Sequence, residues 1–197
     1  MSELKVNKIS PVSASGTTQL GDSGDTFTIP SGCTFTNSGT ATGFGGGKVL
    51  QVVHVESGSV LTHTTVMPSD DTINTNTEGG ELFTLAITPA NASNKLIIQY
   101  IVHYSHTASN NYITGNLYQD STSASINTIT MNVIRTGTDM DSMVGWHYMT
   151  AGTTSATTFK VRAGANNGGT FTMNGTNGNQ YGGGTLLSGM TIWELSA

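Results

Sequence analysis

Carboxylate side chains are the residues of this sequence that could carry out hydrolysis. Five of them fall in short polar segments: Asp70, Asp71, Asp120, Asp139 and Asp141. Glycoside hydrolysis needs two carboxyl groups that face one cleft. Sequence neighbours on a strand point to opposite faces, and Asp in such segments is favoured for its local hydrogen bonds in turns. We therefore predict that the chain is not an enzyme.

A serine lies in the sequence Gly-Asp-Ser-Gly-Asp at 21–25, which is typical of the surroundings of a nucleophilic serine. Such a serine needs a histidine as general base and a carboxylate that orients it. Only twenty residues precede the motif, and the first histidine is His54. The motif therefore predicts a polar turn. The glycine run at 43–47 before Lys48 also lacks the spacing and the Ser or Thr of a phosphate-binding loop.

Histidines and paired aspartates raise the question of a metal site. His103 and His106 are three residues apart, so on a regular strand their rings point to opposite faces. Two alternatives stay open: three copies of one histidine around a symmetry axis, and Ca²⁺ held by Asp139 and Asp141. We predict interface or surface roles for the histidines, and no metal or cofactor.

The composition is poor in charge, with 10% charged residues where roughly 25% is usual. The surface must therefore be covered by Thr, Ser, Asn and Gly, which suit strands and tight turns. The net charge of −5 leaves no basic face for a phosphate backbone, so we expect no nucleic-acid partner.

Two further features bear on where the protein is made. No run of residues approaches the roughly 18 apolar residues of a membrane helix, so we expect no membrane insertion. The single cysteine, Cys33, excludes an intrachain disulfide and is consistent with a reducing compartment. We expect the protein to be made and assembled in a cytoplasm.

Strand signals follow one another from residue 48 onward at the short spacing of an all-β sandwich. We predict ten strands without a helix between them, at 48–55, 61–66, 81–87, 95–106, 112–119, 126–134, 143–149, 158–163, 170–173 and 186–195. The absence of crossover helices predicts antiparallel pairing.

Two of these strands predict how the head is layered. In 158–163, Phe159, Val161 and Ala163 should face the core, while Lys160 and Arg162 should face water.

The long strand 95–106 has apolar residues on both faces. Leu96, Ile98, Tyr100, Val102 and Tyr104 share one face, and the other carries Ile97 and Ile101 beside polar residues. We predict that one face packs in the core and that the other is a subunit interface.

Residues 1–42 hold too few apolar side chains to form a core, and residues 43–47 read as a flexible glycine linker. The segments 25–29 and 33–35 alternate apolar and polar residues, which predicts strands with one face to cover. Contacts within a trimer or with another protein would cover them. The residues predicted for those contacts are Val6, Ile9, Leu20, Phe27, Ile29 and Phe35.

Both ends of the chain resemble a known protein family. The N-terminal part reads Lys5-Val6-Asn7-Lys8-Ile9-Ser10-Pro11, then Leu20-Gly21-Asp22-Ser23-Gly24-Asp25, and runs to the glycines at 43–47. Lys48-Val49-Leu50-Gln51-Val52-Val53 follows, and the C-terminal end carries Met190-Thr191-Ile192-Trp193-Glu194-Leu195. These sequences are similar to fibre-like virion structural proteins of tailed bacteriophages, especially those of marine and cyanobacterial hosts. The middle of the chain matches only in style.

The resemblance implies a homotrimer on the virion surface. It implies an all-β fold in which residues 48–197 form an antiparallel, jelly-roll-like β-sandwich head. The N-terminal residues 1–42 would be an extended β-stalk or arm that trimerises and contacts other virion proteins of the capsid or tail.

Three polar loops of the head are predicted to contact a host-surface glycan or protein. The residues are Asn110, Asn111, Tyr112, Asp139, Asp141, Gln180 and Tyr181, because amides and hydroxyls around an aromatic ring make an adaptable binding surface. Two functions are compatible with these features. The first is host attachment as a short tail fibre or fibre tip, and the alternative is a capsid decoration or cement protein that coats or stabilises the capsid lattice.

Overall fold

The computed structural model describes residue 9 and residues 16–34, 36–39, 48–134 and 139–197, with the backbone alone for 131–134. The chain forms two compact units, Met1–Phe44 and Gly45–Ala197. The predicted linker at 43–47 lies outside the described residues, and the predicted domain boundaries stay predictions. No helix in the described part of the chain is long and apolar enough to cross a membrane.

In the first unit, residues 16–34 form turns and extended segments without a strand. The Asp25 amide donates a hydrogen bond to the Asp22 carbonyl (3.0 Å), which closes the predicted polar turn. The predicted strand at 25–29 is wrong for this chain, because a strand needs a second backbone to pair with and no strand in the described part of the chain pairs with these residues. Part of the predicted strand at 33–35 falls outside the described residues.

The second unit consists almost entirely of strands, and its helical content among the described residues is one 3-10 turn, Gly182–Gly184. The strands are β1 Val49–Ser57, β2 Leu61–His63, β3 Gly80–Ile87, β4 Lys95–His106, β5 Asn111–Gln119, β6 Asn127–Ile134, β7 Met140–Thr150, β8 Thr157–Ala165, β9 Phe171–Met173, β10 Gly175–Thr176, β11 Asn179–Gln180 and β12 Ser188–Leu195. All ten predicted strands are present. Sequence reasoning missed the short hairpin of β10 and β11.

The strands form two large antiparallel sheets, as in a β-sandwich. The six-stranded sheet has the order β1-β12-β4-β9-β2, and β7 pairs with the other edge of β4. The four-stranded sheet has the order β3-β8-β5-β6. The first and last strands of the head, β1 and β12, are neighbours, so the two ends of this unit lie side by side in the six-stranded sheet.

One hydrophobic core lies between the two sheets. The six-stranded sheet contributes the predicted face of β4, in which Leu96, Ile98, Tyr100, Val102 and Tyr104 are buried. The four-stranded sheet contributes Phe159, Val161 and Ala163 of β8, which are fully buried. The core face predicted for each of the two strands is confirmed.

Arg162 departs from the prediction that it faces water. Its side chain is only 17% exposed. The guanidinium donates hydrogen bonds to the carbonyls of Gly79 (2.6 Å) and Glu78 (2.9 Å). The segment that leads into β3 therefore covers Arg162 and fixes its position.

Candidate functional site

The six-stranded sheet has a face that the core does not cover, which we call the outer face. Strands β1, β12, β4 and β7 lie side by side there, and their pairing aligns three rows of residues. The rows are Val52, Trp193, Ile97 and Tyr148; His54, Thr191, Gln99 and Trp146; and Glu56, Gly189, Ile101 and Val144. Because strand residues alternate between faces, these residues lie on the face opposite to the core residues of the same strands.

The outer face is largely apolar and open. Trp146 is 59% exposed, Tyr148 56% and Val144 52%. Ile101, which was predicted for a subunit interface, lies among them and is itself partly exposed. Within a single chain, the second face of β4 is therefore only partly covered.

A shallow groove of about 250 Å³ lies within the outer face. Its walls include His54, Gln99, Leu187 and Thr191, and Gly189 also lines it. The His54 ring bonds to the Thr191 hydroxyl (2.8 Å) and to the Glu56 carboxylate (3.2 Å). These bonds hold the His54 ring, and the apolar side chains of Ile101, Val144 and Leu187 also line the groove.

The exposed side of the four-stranded sheet has the opposite character. Glu81 lies between two cations there, with Lys160 Nζ at 3.1 Å and Arg162 Nη1 at 3.4 Å. The Thr84 hydroxyl donates to the same carboxylate (2.6 Å). Charged groups that bond to one another in this way are typical of a surface that faces water. The two sheets therefore present chemically different surfaces.

Sequence reasoning missed the aromatic residues of the outer face, although the signal was present. In β7, Val144, Trp146 and Tyr148 alternate with Met143 and Met149, so both faces of the strand are apolar. Such a strand requires burial on both sides.

The three loops predicted to contact a ligand come together at the C-terminal end of β4, which we call the loop end. Asp141 pairs opposite Tyr104. On the other side of β4, the Asn174 amide donates to the His103 carbonyl (2.9 Å), and Asn174 leads into β10. The turn at 107–110 continues directly from β4.

The predicted contact residues differ in accessibility. Tyr112 and Tyr181 are 46% and 61% exposed. Asn110, Asp139, Asp141 and Gln180 are also exposed. Asn111 is a correction: it is fully buried, because its side-chain amide donates to the His106 ring (3.0 Å) and to the Ala108 carbonyl (3.2 Å) inside the turn.

The candidate carboxylates do not converge. Asp120 follows the end of β5 and accepts a hydrogen bond from the Thr158 amide (2.8 Å). Asp141 lies at the loop end, where β5 begins. Nine strand residues separate these positions along the sheet, which corresponds to about 30 Å. Asp70 accepts hydrogen bonds from Thr72 within its own turn.

The histidines that were considered as metal ligands do not share one face. His103 and His106 lie on opposite faces as predicted: His103 bonds to the Ser142 hydroxyl (2.6 Å), and His106 is buried. Among the described residues, no group of three or more His, Cys, Asp or Glu side chains is arranged to hold a metal ion.

No family model and no curated protein matches the chain. Solved structures show distant similarity. The Eiger TNF of S. frugiperda has 7% identity and a TM-score of 0.41 over 74% of this chain and 93% of that chain. The VP2 subviral particle of infectious bursal disease virus has 12% identity and a TM-score of 0.39, over 75% of this chain and 33% of the other.

A third similar structure is the enzymatically active domain of tailspike protein 4 of bacteriophage CBA120. It has 13% identity and a TM-score of 0.26, over 66% of this chain and 19% of the tailspike chain. The chain thus spans only a minor part of the VP2 and tailspike chains that it matches. These similarities are too distant to indicate a function.

Proposed function

We propose that this protein is a non-enzymatic structural protein of a bacteriophage virion, a homotrimeric surface fibre or knob that acts in host attachment. In this proposal the head is a jelly-roll-like β-sandwich, and the protein works as a short tail fibre or fibre tip. The exposed apolar outer face is the observation that carries the proposal, because it calls for further subunits.

The outer face offers an apolar centre for a subunit contact, which polar residues around it would have to complete. A Trp or Tyr side chain has roughly 150–250 Å² of surface, so half-exposed Trp146 and Tyr148 together offer about 200 Å². Val52, Ile101 and Val144 extend the patch to several hundred Å². Monomers rarely expose larger apolar patches, and standard interfaces bury roughly 800 Å² per partner.

Second and third copies of the chain are the occupants that we assign to this face. It carries protruding aromatic side chains on β7 and a groove that reaches from β1 to β7. The aromatic residues of one copy can fill the groove of the next, which is a heterologous contact, and such contacts close into a ring when the rotation allows. The charged surface of the four-stranded sheet then faces water.

The N-terminal residues are assigned to anchoring. Ile9, Leu20, Phe27 and Ile29 are exposed, as expected for side chains whose partners lie on other chains. Val6 and Phe35, predicted for the same role, lie outside the described residues. We propose that residues 1–42 contact other virion proteins and the same segment of the other two copies in the trimer.

The loop end is assigned to ligand contact. Tyr112 and Tyr181 offer exposed rings, and Asn110, Asp139 and Gln180 offer amides and a carboxylate around them. Aromatic rings beside flexible polar groups suit a glycan or protein on the host surface.

Capsid decoration is the second candidate, and the arm favours it. Residues 16–34 are exposed throughout and form no strand, so they are available to lie across capsid subunits. A decoration protein would use the same trimer and would need no ligand at the loop end.

Electron microscopy of intact virions labelled with antibody against this protein tests the proposal. We expect label on the particle surface and confined to the tail. Label over the head would replace attachment by decoration, and no label above that of pre-immune antibody would reject a virion role. Release of sugar from host polysaccharide by the purified protein would contradict the non-enzymatic part.

A further inference from the structure

A half-buried histidine, whose two ring nitrogens are covered, lies beside the loop end without polar partners. The ring of His63 on β2 stacks on Phe171 of β9, with ring centres 4.9 Å apart and an angle of 21° between the planes. Both ring nitrogens are buried and have no hydrogen-bond partner. Gly80 permits this position, since a Cβ there would lie 2.2 Å from the His63 ring.

A second histidine, the buried His106, closes the turn between β4 and β5. Its Nδ1 accepts hydrogen bonds from the Ala108 amide (3.2 Å) and from the Asn111 side-chain amide (3.0 Å). The two nearer partners are donors, so Nδ1 accepts from them when it carries no proton, while the Ala108 carbonyl lies at 3.4 Å as an acceptor. A proton on Nδ1 would break both of these bonds and could be donated only to the more distant Ala108 carbonyl.

The charges around the two rings also oppose protonation. The groups that face His63 are Arg162 from β8 and His106 from β4, both cationic when protonated. Burial, then Arg162, then His106 lower the pKa of His63 to about 4. Burial lowers the pKa of His106, and the Ala108 carbonyl opposes this only in part.

The remaining titratable groups do not compensate. Tyr104 of β4 stacks on the far side of Phe171, and Asp141 of β7 acts on Tyr104. Glu81 of β3 is held by Lys160 and Arg162. Within the described part of the chain, no carboxylate forms an ion pair with either buried ring.

We propose that His63 and His106 form an acid-sensitive lock on the loop end. Protonation of His106 opens the turn at 107–110, which displaces Asn111 and the neighbouring Tyr112. Protonation of His63 expels its ring from Phe171 and detaches β2, which is paired with β9 over only three residues. The long strands are held by other contacts and stay paired. This goes beyond the proposed function and does not depend on trimer or virion.

The direction of the pH effect follows from the lowered pKa of each histidine. The unfolded chain binds protons at its ordinary pKa of 6.5, while the folded protein resists them. The contribution to stability is therefore complete above pH 6.5 and is lost as the pH falls toward 4. His147 has a pKa that burial also lowers, so the test must identify each ring.

The histidine rings and backbone amides of the full-length protein should be followed by NMR from pH 8 to pH 3.5. We expect His63 to titrate at least one unit below 6.5 and His106 to titrate below 6.5. The amides of 107–112 should shift with them while those of β12 do not. A titration midpoint for His63 at or above pH 6.5 would overturn the proposal. Loop-end amides whose chemical shifts do not change as the histidines titrate would also overturn it.

Urea unfolding at pH 7 and pH 4.5 provides the second measurement. His63→Phe keeps the stacked ring and cannot titrate, and His106→Asn keeps an acceptor at the position of Nδ1. On acidification, the unfolding constant of wild type should rise about tenfold more than that of His63→Phe, after allowance for the exposed part of the ring. His54→Gln, which removes an exposed histidine, should follow wild type. Equal responses of wild type, His63→Phe and His106→Asn would reject the lock.

Discussion

Glu194 is a fully buried carboxylate near the C-terminal end of β12. This end of the strand is the one farther from the loop end. Its oxygens accept hydrogen bonds from the side chains of Asn94 and Gln51 and from the Ala90 amide (2.8 Å). Burial by itself raises the pKa of Glu194, but these hydrogen bonds together outweigh it and lower the pKa below the ordinary 4.5. The carboxylate of β12 therefore links β1 and the segment between β3 and β4 through hydrogen bonds.

Glu194→Ala should destabilise the head by about 2–4 kcal/mol, because three donors lose their buried acceptor. Since the folded pKa is lowered, the contribution of Glu194 is complete above pH 4.5 and is lost as the pH falls further. Urea unfolding at pH 7 and at pH 3.5 measures both effects. Asp71→Ala removes an exposed carboxylate and should stay within about 0.5 kcal/mol of wild type. Equal losses in the two variants would contradict this assignment.

Gly145 makes room for a core tyrosine. A Cβ at this position would lie 1.9 Å from Cζ of Tyr100, whose ring is buried. Gly145→Ala should cost about 1–3 kcal/mol, because the ring cannot move without disturbing the packed core. Gly168 has no atom within 4 Å of such a Cβ, so Gly168→Ala is the matched control and should be neutral. The midpoint of urea unfolding distinguishes them, and a neutral Gly145→Ala would refute the packing argument.

The hairpin of β10 and β11 is the element that positions Gln180 and Tyr181. Asn177 (φ 48°) and Gly178 (φ 76°) form its two-residue turn, and both lie in the left-handed region. Asn-Gly is the preferred sequence for such a turn because these residues accept positive φ at the lowest cost. The Tyr181 amide then donates to the Asn174 carbonyl (3.0 Å), which ties the hairpin back to the sheet.

Gly178→Val should open this hairpin, because a β-branched residue at positive φ costs about 1–3 kcal/mol. Amide hydrogen exchange should become faster at Tyr181 and stay unchanged in β4. Thr176→Val introduces the same side chain into the hairpin at ordinary φ, where a β-branched residue already stands, and should leave exchange as in wild type. Unchanged exchange at Tyr181 in Gly178→Val would show that the turn does not control the loop.

At the scale of the whole molecule, the two sheets expose different chemistry. The outer face displays Trp146, Tyr148 and Val144, whereas the four-stranded sheet displays the ion pairs of Glu81. An apolar surface next to solvent costs free energy that burial against another subunit recovers, at roughly 25 cal/mol per Å². The asymmetry itself therefore favours assembly through one sheet.

Trp146→Arg should convert the protein from a trimer to a monomer, because an arginine in the centre of an apolar contact has no partner for its charge. The mass in solution should fall from about 61 kDa, three times the chain mass of 20.5 kDa, to that of one chain. Light scattering measures the mass, and circular dichroism should show that the strands persist.

Ala86→Arg is the matched control for this interface. Ala86 is exposed on β3, in the four-stranded sheet, so the same charge there should leave the trimer intact. A wild-type protein that stays monomeric at all concentrations, or a Trp146→Arg protein with unchanged mass, would remove the outer face as the subunit contact.

Alternation and turn chemistry by themselves determined the all-β class and ten of the twelve strands of the head. These signals are local: a two-residue period shows in Phe159, Val161 and Ala163 without knowledge of any partner strand. The polar turn at 21–25 was also readable in the sequence. The same period predicted a strand at 25–29 that this chain does not form, since alternation cannot provide the backbone that a strand must pair with.

Only the tertiary structure decided which residues share a surface. The outer face joins β1 and β12, from opposite ends of the head, with β4 and β7, and this order follows from long-range pairing. It also decided that Asn111 is buried and that His63 stacks on Phe171. Register and burial depend on contacts between distant segments, which a local pattern does not encode.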